Sequence, residues 1–552
     1  SLKTNCTVMS LGLAHNSIGE EGAEALAASL KANCTLINLD LSHNNIGPQG
    51  GQALALSLHS NHTLTALDLD HGTVGDRGAE ALAASLRSNN TLLCLGLARN
   101  HIGVEGGVAL TSALRLNRSL TKVDLGSNSI GIQGIKALAK SLGFNHSLTR
   151  LDLDHNNIED EGAEALATAM CIQHNQLSSL GLAHNNISAQ GAKALSTCLH
   201  TNRALTMLDL DHNSIGDEGA AALASSLESN HTLKSLELTH NSIGDQGTVA
   251  LSTRLESNCA LTRLGLGHNS IGVEGVKALS TTLKDNRTLK SLGLGHNRAG
   301  DEGAEELSTV LFVNNTLTKL ELGYNGIRVH GGESLATALL SNQSLASLDL
   351  GHNYIGAQGG EALAIALHSN RTLTTLDLGH NFLNVHGTEA FVRHLHSNDT
   401  LTSLDLSLNS IEDRGAESLA SLLLRNSHRL KRLNLNSNLI CDEGADRIIL
   451  SLANNEHRRG WSRRGREDTG HAVAVGERSF VEEILYGSEW GHVVREYLRE
   501  ASVTDLNLSN NKITLADRAT RDALCELLPL RKLNLSGNII GGSLARIGQL
   551  TN

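Results

Sequence analysis

The chain has 552 residues, with only 2 Pro, 2 Trp, 4 Tyr and 5 Phe against 54 Gly and 27 His. So few large rings exclude a set of ordinary globular cores, while 40% hydrophobic residues exclude a disordered chain. The formal charge of −12 argues against a nucleic-acid binder and for a basic or neutral protein partner, although full protonation of the histidines would carry it to +15. No apolar run approaches the roughly 18 residues needed to span a bilayer, and no signal-peptide pattern opens the chain. The 8 Cys stand singly without CxxC pairs, which reads as reduced core thiols of a cytoplasmic protein, Cys6 and Cys34 falling one repeat apart.

Ser1-Leu-Lys-Thr-Asn5-Cys-Thr7 reads as the end of a helix whose own strand is missing. The phrase LxLxxN then ends at Asn16, Asn44, Asn100, Asn128, Asn156, Asn185, Asn213, Asn241, Asn269, Asn297, Asn325, Asn353, Asn381, Asn409 and Asn438. Gly72 fills the slot between Asn44 and Asn100, and the step is 28 residues, or 29 before Asn185 and Asn438. These are sixteen tandem units, and fixed-period self-similarity is the signature of a stacked architecture.

The unit around Gly72 displays the elements. Leu67 and Leu69 alternate with Asp68, the period of a short strand with one buried face. Gly75 and Gly78 supply tight backbone where strand gives way to helix. Ala79, Leu82, Ala83 and Leu86 form one apolar helix stripe. Asn89, just past it, is expected in a left-handed C-terminal position. Sequons such as Asn61-His-Thr63 and Asn370-Arg-Thr372 recur at one repeat position and read as structural. No unit can bury its apolar face alone; stacking on its neighbours does so.

The spacing from Asn438 to Asn511 is 73, so residues 1–454 form the main repeat array, 455–500 an insertion, and 501–552 two last repeats ending at Asn511 and Asn538. The insertion holds Trp461 and Trp490, a basic stretch from Arg458 to Arg466, and an amphipathic helix over about Ser479–Glu500. It reads as a degenerate repeat with a loop packed on the solenoid, or as a partner-binding element. The chain stops at Ser543–Asn552 within a final helix, so both ends read as cut from a longer protein.

The pattern LxxLxLxxNxIGxxGAxxLAxxLxxNxTL resembles the leucine-rich repeats of the ribonuclease-inhibitor subtype, over about nine-tenths of the chain. It is most similar to the repeat arm of NOD-like receptors, and GAEALA resembles the GALA repeats of plant-pathogen effectors. The resemblance implies an α/β solenoid, a horseshoe with a parallel β-sheet on the concave face and α-helices on the convex face. It implies protein binding and supplies no catalytic residue or cofactor site. The chain carries no P-loop, F-box or ligase motif.

Three sets of residues stand out as candidates. Between the strand leucines lie Asp40, Asp68, Asp124, Asp152, Asp209, Glu237, Glu321, Asp349, Asp377 and Asp405, joined two residues on by Asp70, Asp154 and Asp211. With strands about 4.8 Å apart these form an acidic strip, either a solvated face or a surface for a basic protein. Lys122, Arg150, Arg263 and Lys319 interrupt it at another position. The pattern argues against paired-carboxylate catalysis, since an active site needs one asymmetric constellation and this pattern is periodic.

Before the ladder Asn runs a histidine column: His15, His43, His71, His155, His184, His212, His240, His268, His296, His352 and His380. It reads as a duplicated surface residue; the rival readings are a pH sensor and a Zn²⁺ or Cu²⁺ site. The third set is aromatic. Tyr324 takes the column position of its unit, Tyr354 and Phe382 follow the ladder Asn in the next two, and Phe391 is near in sequence. Tyr324, Tyr354 and Phe382 should gather beside His352 and His380 as a binding hot spot, unless Tyr354 and Phe382 turn inward and fill space.

The expectation is a non-enzymatic protein-recognition scaffold whose concave face takes a basic partner, without nucleic acid, membrane insertion, metal or cofactor. The alternatives are the sensing or targeting arm of an innate-immune receptor or bacterial effector, and a GTPase-activating regulator of the Ran type. One local expectation concerns Gly72, which removes a ladder side chain and should weaken amide protection around residues 70–76.

Overall fold

The computed structural model describes residues 2–172, 175–425, 430–452, 503–513 and 532–539. The chain divides into two compact units, Ser1–Asn297 and Arg298–Asn552. The insertion at 455–500 and its basic stretch lie outside the described residues.

The first unit repeats strand, turn and helix. Its three-residue strands run from Ser10–Gly12, Asn38–Asp40 and Ala66–Asp68 to Arg263–Gly265 and Ser291–Gly293. Each pairs in parallel with the next, one repeat out of step, so that Leu39 lies opposite Leu67 and Leu208 opposite Leu236. A parallel pair needs a crossover, and a helix supplies it: Gly19–Leu30, Gly47–Leu58, Gly75–Leu86 and so on to Val273–Leu283, each packed on the next. In the unit around Gly72, Leu67, Leu69, Ala79, Leu82, Ala83 and Leu86 are all buried between these layers.

The second unit has the same order. Helices Gly300–Leu311, Val329–Leu339, Gly356–Ser369, Asn384–Leu395 and Glu412–Arg425 alternate with strands Lys319–Glu321, Ser347–Asp349, Thr375–Asp377, Ser403–Asp405 and Arg432–Asn434. The last of these pairs directly with Asp505–Asn507, which pairs with Lys532–Asn534. Asn511 Oδ1 accepts from Asn438 N at 2.8 Å across that 73-residue spacing. The repeat step therefore resumes after the insertion as if nothing intervened. Among the described residues, no helix is long and apolar enough to cross a membrane.

Two ladders of buried asparagines satisfy the backbone where it turns. In the first, Asn213 Nδ2 donates to Leu182 O and Leu210 O at 2.9 Å, and Asn213 Oδ1 accepts from Asn185 N and Ile187 N. The second stands at the other end of each helix. Asn89 Oδ1 accepts from Thr91 N and Leu92 N, while Nδ2 donates back to Leu58 O and Asn61 O. Asn89 is thus a buried cross-repeat bridge rather than the left-handed cap expected from the sequence. Asn61 and Asn370 make the same bridge and are buried, which removes those sequons from glycosylation chemistry. The left-handed positions belong instead to the histidine column, with φ between 51° and 58°. Histidine is among the residues that tolerate this region.

A third periodic contact runs from each helix to the next. Helix Asp245–Leu255 begins after Gly244 in an extended conformation, with no side-chain cap of its own. Asp217, in the first turn of the preceding helix, accepts from Gly244 N at 2.7 Å and Gly247 N at 2.9 Å. Asp245 then does the same for Gly272 N and Gly275 N. Each carboxylate meets the free amides and positive dipole end of the next helix.

Two predictions follow from these ladders. Asp245→Ala should cost about 1–2 kcal/mol, read from the urea midpoint; an unchanged midpoint would remove the cap from the account. At Gly72 the weak point shifts. Gly72 N and Val74 N are bonded to Asn100 Oδ1 at 3.1 and 3.0 Å, so residues 70–76 keep their acceptor. It is Asn44 N and Ile46 N, one repeat back, to which Gly72 offers no side-chain carbonyl. Their hydrogen exchange should outpace that of Asn100 and Ile102, whose amides meet Asn128 Oδ1 at 3.0 Å. Equal protection would contradict this.

Candidate partner-binding face

The strand residue between two buried leucines has its side chain on the face opposite the core, and register puts like residues side by side. Asp40 lies opposite Asp68, Asp124 opposite Asp152, and Asp209 opposite Glu237. In the second unit Glu321, Asp349, Asp377 and Asp405 form an unbroken row of four. These carboxylates are half-buried, except Glu237, which is buried.

The strip is also a structural device. Asp152 Oδ1 accepts from Asp154 N, Asp209 from Asp211 N, Asp349 from Gly351 N and Asp377 from Gly379 N, each at 2.8–3.0 Å. Asp154 and Asp211 accept from Ala183 N and Thr239 N in the following repeat. Each strand aspartate thus holds the chain as it leaves the sheet. Two positions are neutralised: Arg263 Nε donates to Glu237 Oε1 at 2.5 Å, and Lys319 pairs with Glu321. Of the basic residues read as interruptions of the strip, Arg263 and Lys319 therefore reach into it.

Burial and crowding raise the acids. Asp70 and Asp154 are pushed up to about 7, by burial first and by Asp68 or Asp152 second. Burial, with Asp405 next, takes Asp377 to about 7, and burial takes Asp209 to about 6 despite its bond to Asp211 N. Asp124, Asp211 and Asp349 shift in the same direction, mainly through burial. The strip therefore begins to lose charge near neutral pH.

The histidines form true stacks. His155, His184, His212, His240, His268 and His296 lie face to face with centroids 3.5–4.0 Å apart. His15, His43 and His71 form a shorter stack. Burial pulls His71, His155, His184, His240, His268 and His352 below the usual imidazole value, and charged neighbours add to it, mostly other rings. Stacked rings present parallel edges and do not converge on a point. Among the described residues, no group of three or more His, Cys, Asp or Glu could hold a metal ion.

The aromatic residues cluster in the second unit. Tyr324 stacks on His352 at 3.9 Å and 12°, and His352 meets His380 edge-on at 4.6 Å with Nδ1 atoms 2.7 Å apart. Tyr354 lies parallel to Phe382 at 5.8 Å, and Phe382 is 5.4 Å from His380. Tyr324, Tyr354 and Phe382 are 43%, 58% and 53% exposed, so neither Tyr354 nor Phe382 turns inward. Phe391 does not join them; it is fully buried in helix Asn384–Leu395. The core-thiol reading also fails: Cys198 is buried, but Cys6, Cys34, Cys171 and Cys259 are exposed, because they occupy helix ends and loops.

The family model for the leucine-rich repeat matches fifteen segments, from 4–27, 32–55 and 60–83 through to 369–391 and 397–420. The chain belongs to the leucine-rich-repeat family, and its fold is the α/β solenoid of that class. Comparison with curated proteins finds no match. Among solved structures it is similar to an internalin (inlF) from Listeria monocytogenes, at 23% identity and a TM-score of 0.40, covering 69% of this chain and 89% of that one. It is also similar to TLR13 in its complex with ssRNA13, at 18% identity and a TM-score of 0.44, covering 97% of this chain and 75% of that one.

Lowering the pH should discharge the strip before it charges the stacks. Binding of a Lys- and Arg-rich peptide should weaken between about pH 7.5 and 6, because raised carboxylates such as Asp377 take up protons there. The loss should persist in a His352→Gln/His380→Gln variant. A response abolished by those substitutions would assign it to the imidazoles.

Proposed function

We propose that this chain is a non-enzymatic protein-recognition scaffold that takes a basic partner on its strand-side face, as the concave face of a horseshoe. The observation that carries the reading is the exposed ring cluster of Tyr324, Tyr354 and Phe382 with His352 and His380, beside the row Glu321, Asp349, Asp377 and Asp405. Flat rings offer large contact area at little entropic cost, and hot spots are enriched in Tyr. Cations lie favourably over such rings, and neighbouring carboxylates steer them in. A bound cation also draws Asp349 and Asp377 back toward their ordinary range, so docking and proton release are coupled. In the first unit Asp152 and Asp209 extend the acidic character, whereas Glu237 is occupied by Arg263 and, in the second unit, Glu321 by Lys319, so Asp349, Asp377 and Asp405 carry the row's free charge.

Membership of the family supports protein recognition as the coarse function. The finer likeness, to the ribonuclease-inhibitor subtype and the repeat arm of NOD-like receptors, rests on the 28-residue repeat and implies the sensing or targeting arm of a larger, cytoplasmic protein.

The test uses a synthetic peptide rich in Lys, Arg and Tyr, titrated against the wild-type chain and the Tyr324→Ala and Tyr354→Ala variants. At least one truncation should cost about 2 kcal/mol, and the on-rate should fall steeply with added salt. Losses under about 0.5 kcal/mol in both variants, with the circular dichroism intact, would move the binding site elsewhere.

A further inference from the structure

A second surface stands at the opposite end of the first unit's helices, where the chain turns back toward the sheet. The loops at 59–62, 87–90, 115–118 and 143–146 hold four residues there, with the buried asparagine of the second ladder third in line. From residues 31–34 to 200–203 these loops carry Lys, Arg, His and apolar residues and not one Asp or Glu. In a chain with a formal charge of −12 that is a pronounced local reversal of sign.

Among the described residues, the guanidinium and ammonium groups here face no carboxylate partner. Lys31, Arg87, Arg115, Arg118 and Arg203 are exposed, and among the described residues none makes an ion pair. Further along the same edge the pattern ends: Glu228 enters and pairs with Arg254 at 2.5 Å. Arg118 instead donates to the carbonyls of Arg115 and Asn117, which holds its guanidinium on the loop.

Apolar side chains break through the same stretch. Leu116, Phe144 and Ile172 occupy one loop position on three consecutive repeats and are 59%, 54% and 47% exposed. The Arg115 guanidinium lies 4.6 Å over the Phe144 ring. Ile172 folds back over Gly143, where an added Cβ would come within 2.7 Å of it. The repeat does not require these residues: the matching positions in the two units on either side are Ser60, Ser88, Thr201 and Ser229. Adjacent Arg and aromatic side chains with few carboxylates are the composition of an interface centre.

We infer that this loop edge, centred on Leu116, Phe144 and Ile172, is a second docking surface, and that its occupant is an acidic protein segment bearing apolar side chains. The three apolar tips seat the apolar residues, and Arg87, Arg115 and Arg118 pair with the acids on either side. Arg is suited to this role, since its planar fork binds carboxylates bidentately. The surface is separate from the strand-side face and opposite to it in charge, so a scaffold of this kind would hold two partners of opposite sign at once.

The test is fluorescence anisotropy with a labelled peptide of repeated Asp-Leu-Glu-Glu-Phe units. Controls are the same peptide with Asn and Gln for the acids, and vesicles of phosphatidylcholine and phosphatidylserine in equal parts. The acidic peptide should bind the intact chain and the uncharged one should not. Affinity should fall about tenfold or more in Phe144→Ser and in Arg115→Glu/Arg118→Glu. Arg87→Glu, at an exposed helix end, provides a charge variant with little bearing on folding. Tyr354→Ala should leave this binding unchanged. Absence of peptide binding, equal binding of the uncharged peptide, or unaltered affinity in all three variants would overturn the proposal. So would capture by the anionic vesicles in place of the peptide, which would make the edge a membrane-facing surface.

Discussion

The structure depends on one constraint: every repeat buries backbone at both ends of its helix, and that backbone must be hydrogen-bonded. A strand of three residues and a helix of eleven to fourteen leave turns that cannot satisfy themselves. Asparagine solves this because its amide both donates and accepts, so one side chain closes contacts in its own repeat and reaches into its neighbour's. Asn213 and Asn241 do so at the strand exit, and Asn230 and Asn258 at the helix exit. The fixed 28-residue step, the parallel register and the stacked helices are consequences of having to meet the next asparagine.

Function is written on what this constraint leaves free. The core takes mostly Leu, Ile, Val and Ala at fixed positions, with Phe391 an exception, so variety falls mainly on strand positions that face away from the core, on the left-handed turn and on the helix-exit loop. The carboxylates, the imidazoles and the apolar tips occupy these three places respectively. Each set is amplified by stacking: a residue unremarkable in one unit becomes a row when repeated at intervals of one strand spacing. Amplification also changes chemistry, since crowding like charges on a partly buried surface raises the carboxylates and lowers the imidazoles.

Much of this was legible in the sequence because period is a strong signal. The alternation at Leu67 and Leu69 and the stripe from Ala79 to Leu86 fix strand and helix without further information. The aromatic residues could be placed on adjacent repeats by counting alone. What could not be read was direction and partnership. Asn89 reads as a local cap because its partners, Leu58 and Asn61, lie a full repeat away. The cap of Asp217 on Gly244 and Gly247 is hidden for the same reason, although its mark in the sequence is an acid two residues before the helix glycine, as in Asp217 and Gly219. Exposure was the other blind spot. Cysteine is usually buried, yet Cys6 and Cys34 follow a ladder asparagine at a position that faces solvent.

We propose that a basic partner docks on the strand-side face of the second unit, over the rings of Tyr354 and Phe382. The most direct measurement places a photo-crosslinking amino acid at Tyr354 in one variant and at Leu340, an exposed helix-end residue, in another. Each is irradiated with the Lys-, Arg- and Tyr-rich peptide at the same concentration. The account predicts a covalent product from position 354 that salt suppresses, and little from position 340. Equal yields at both positions, or a product from position 340 alone, would contradict it.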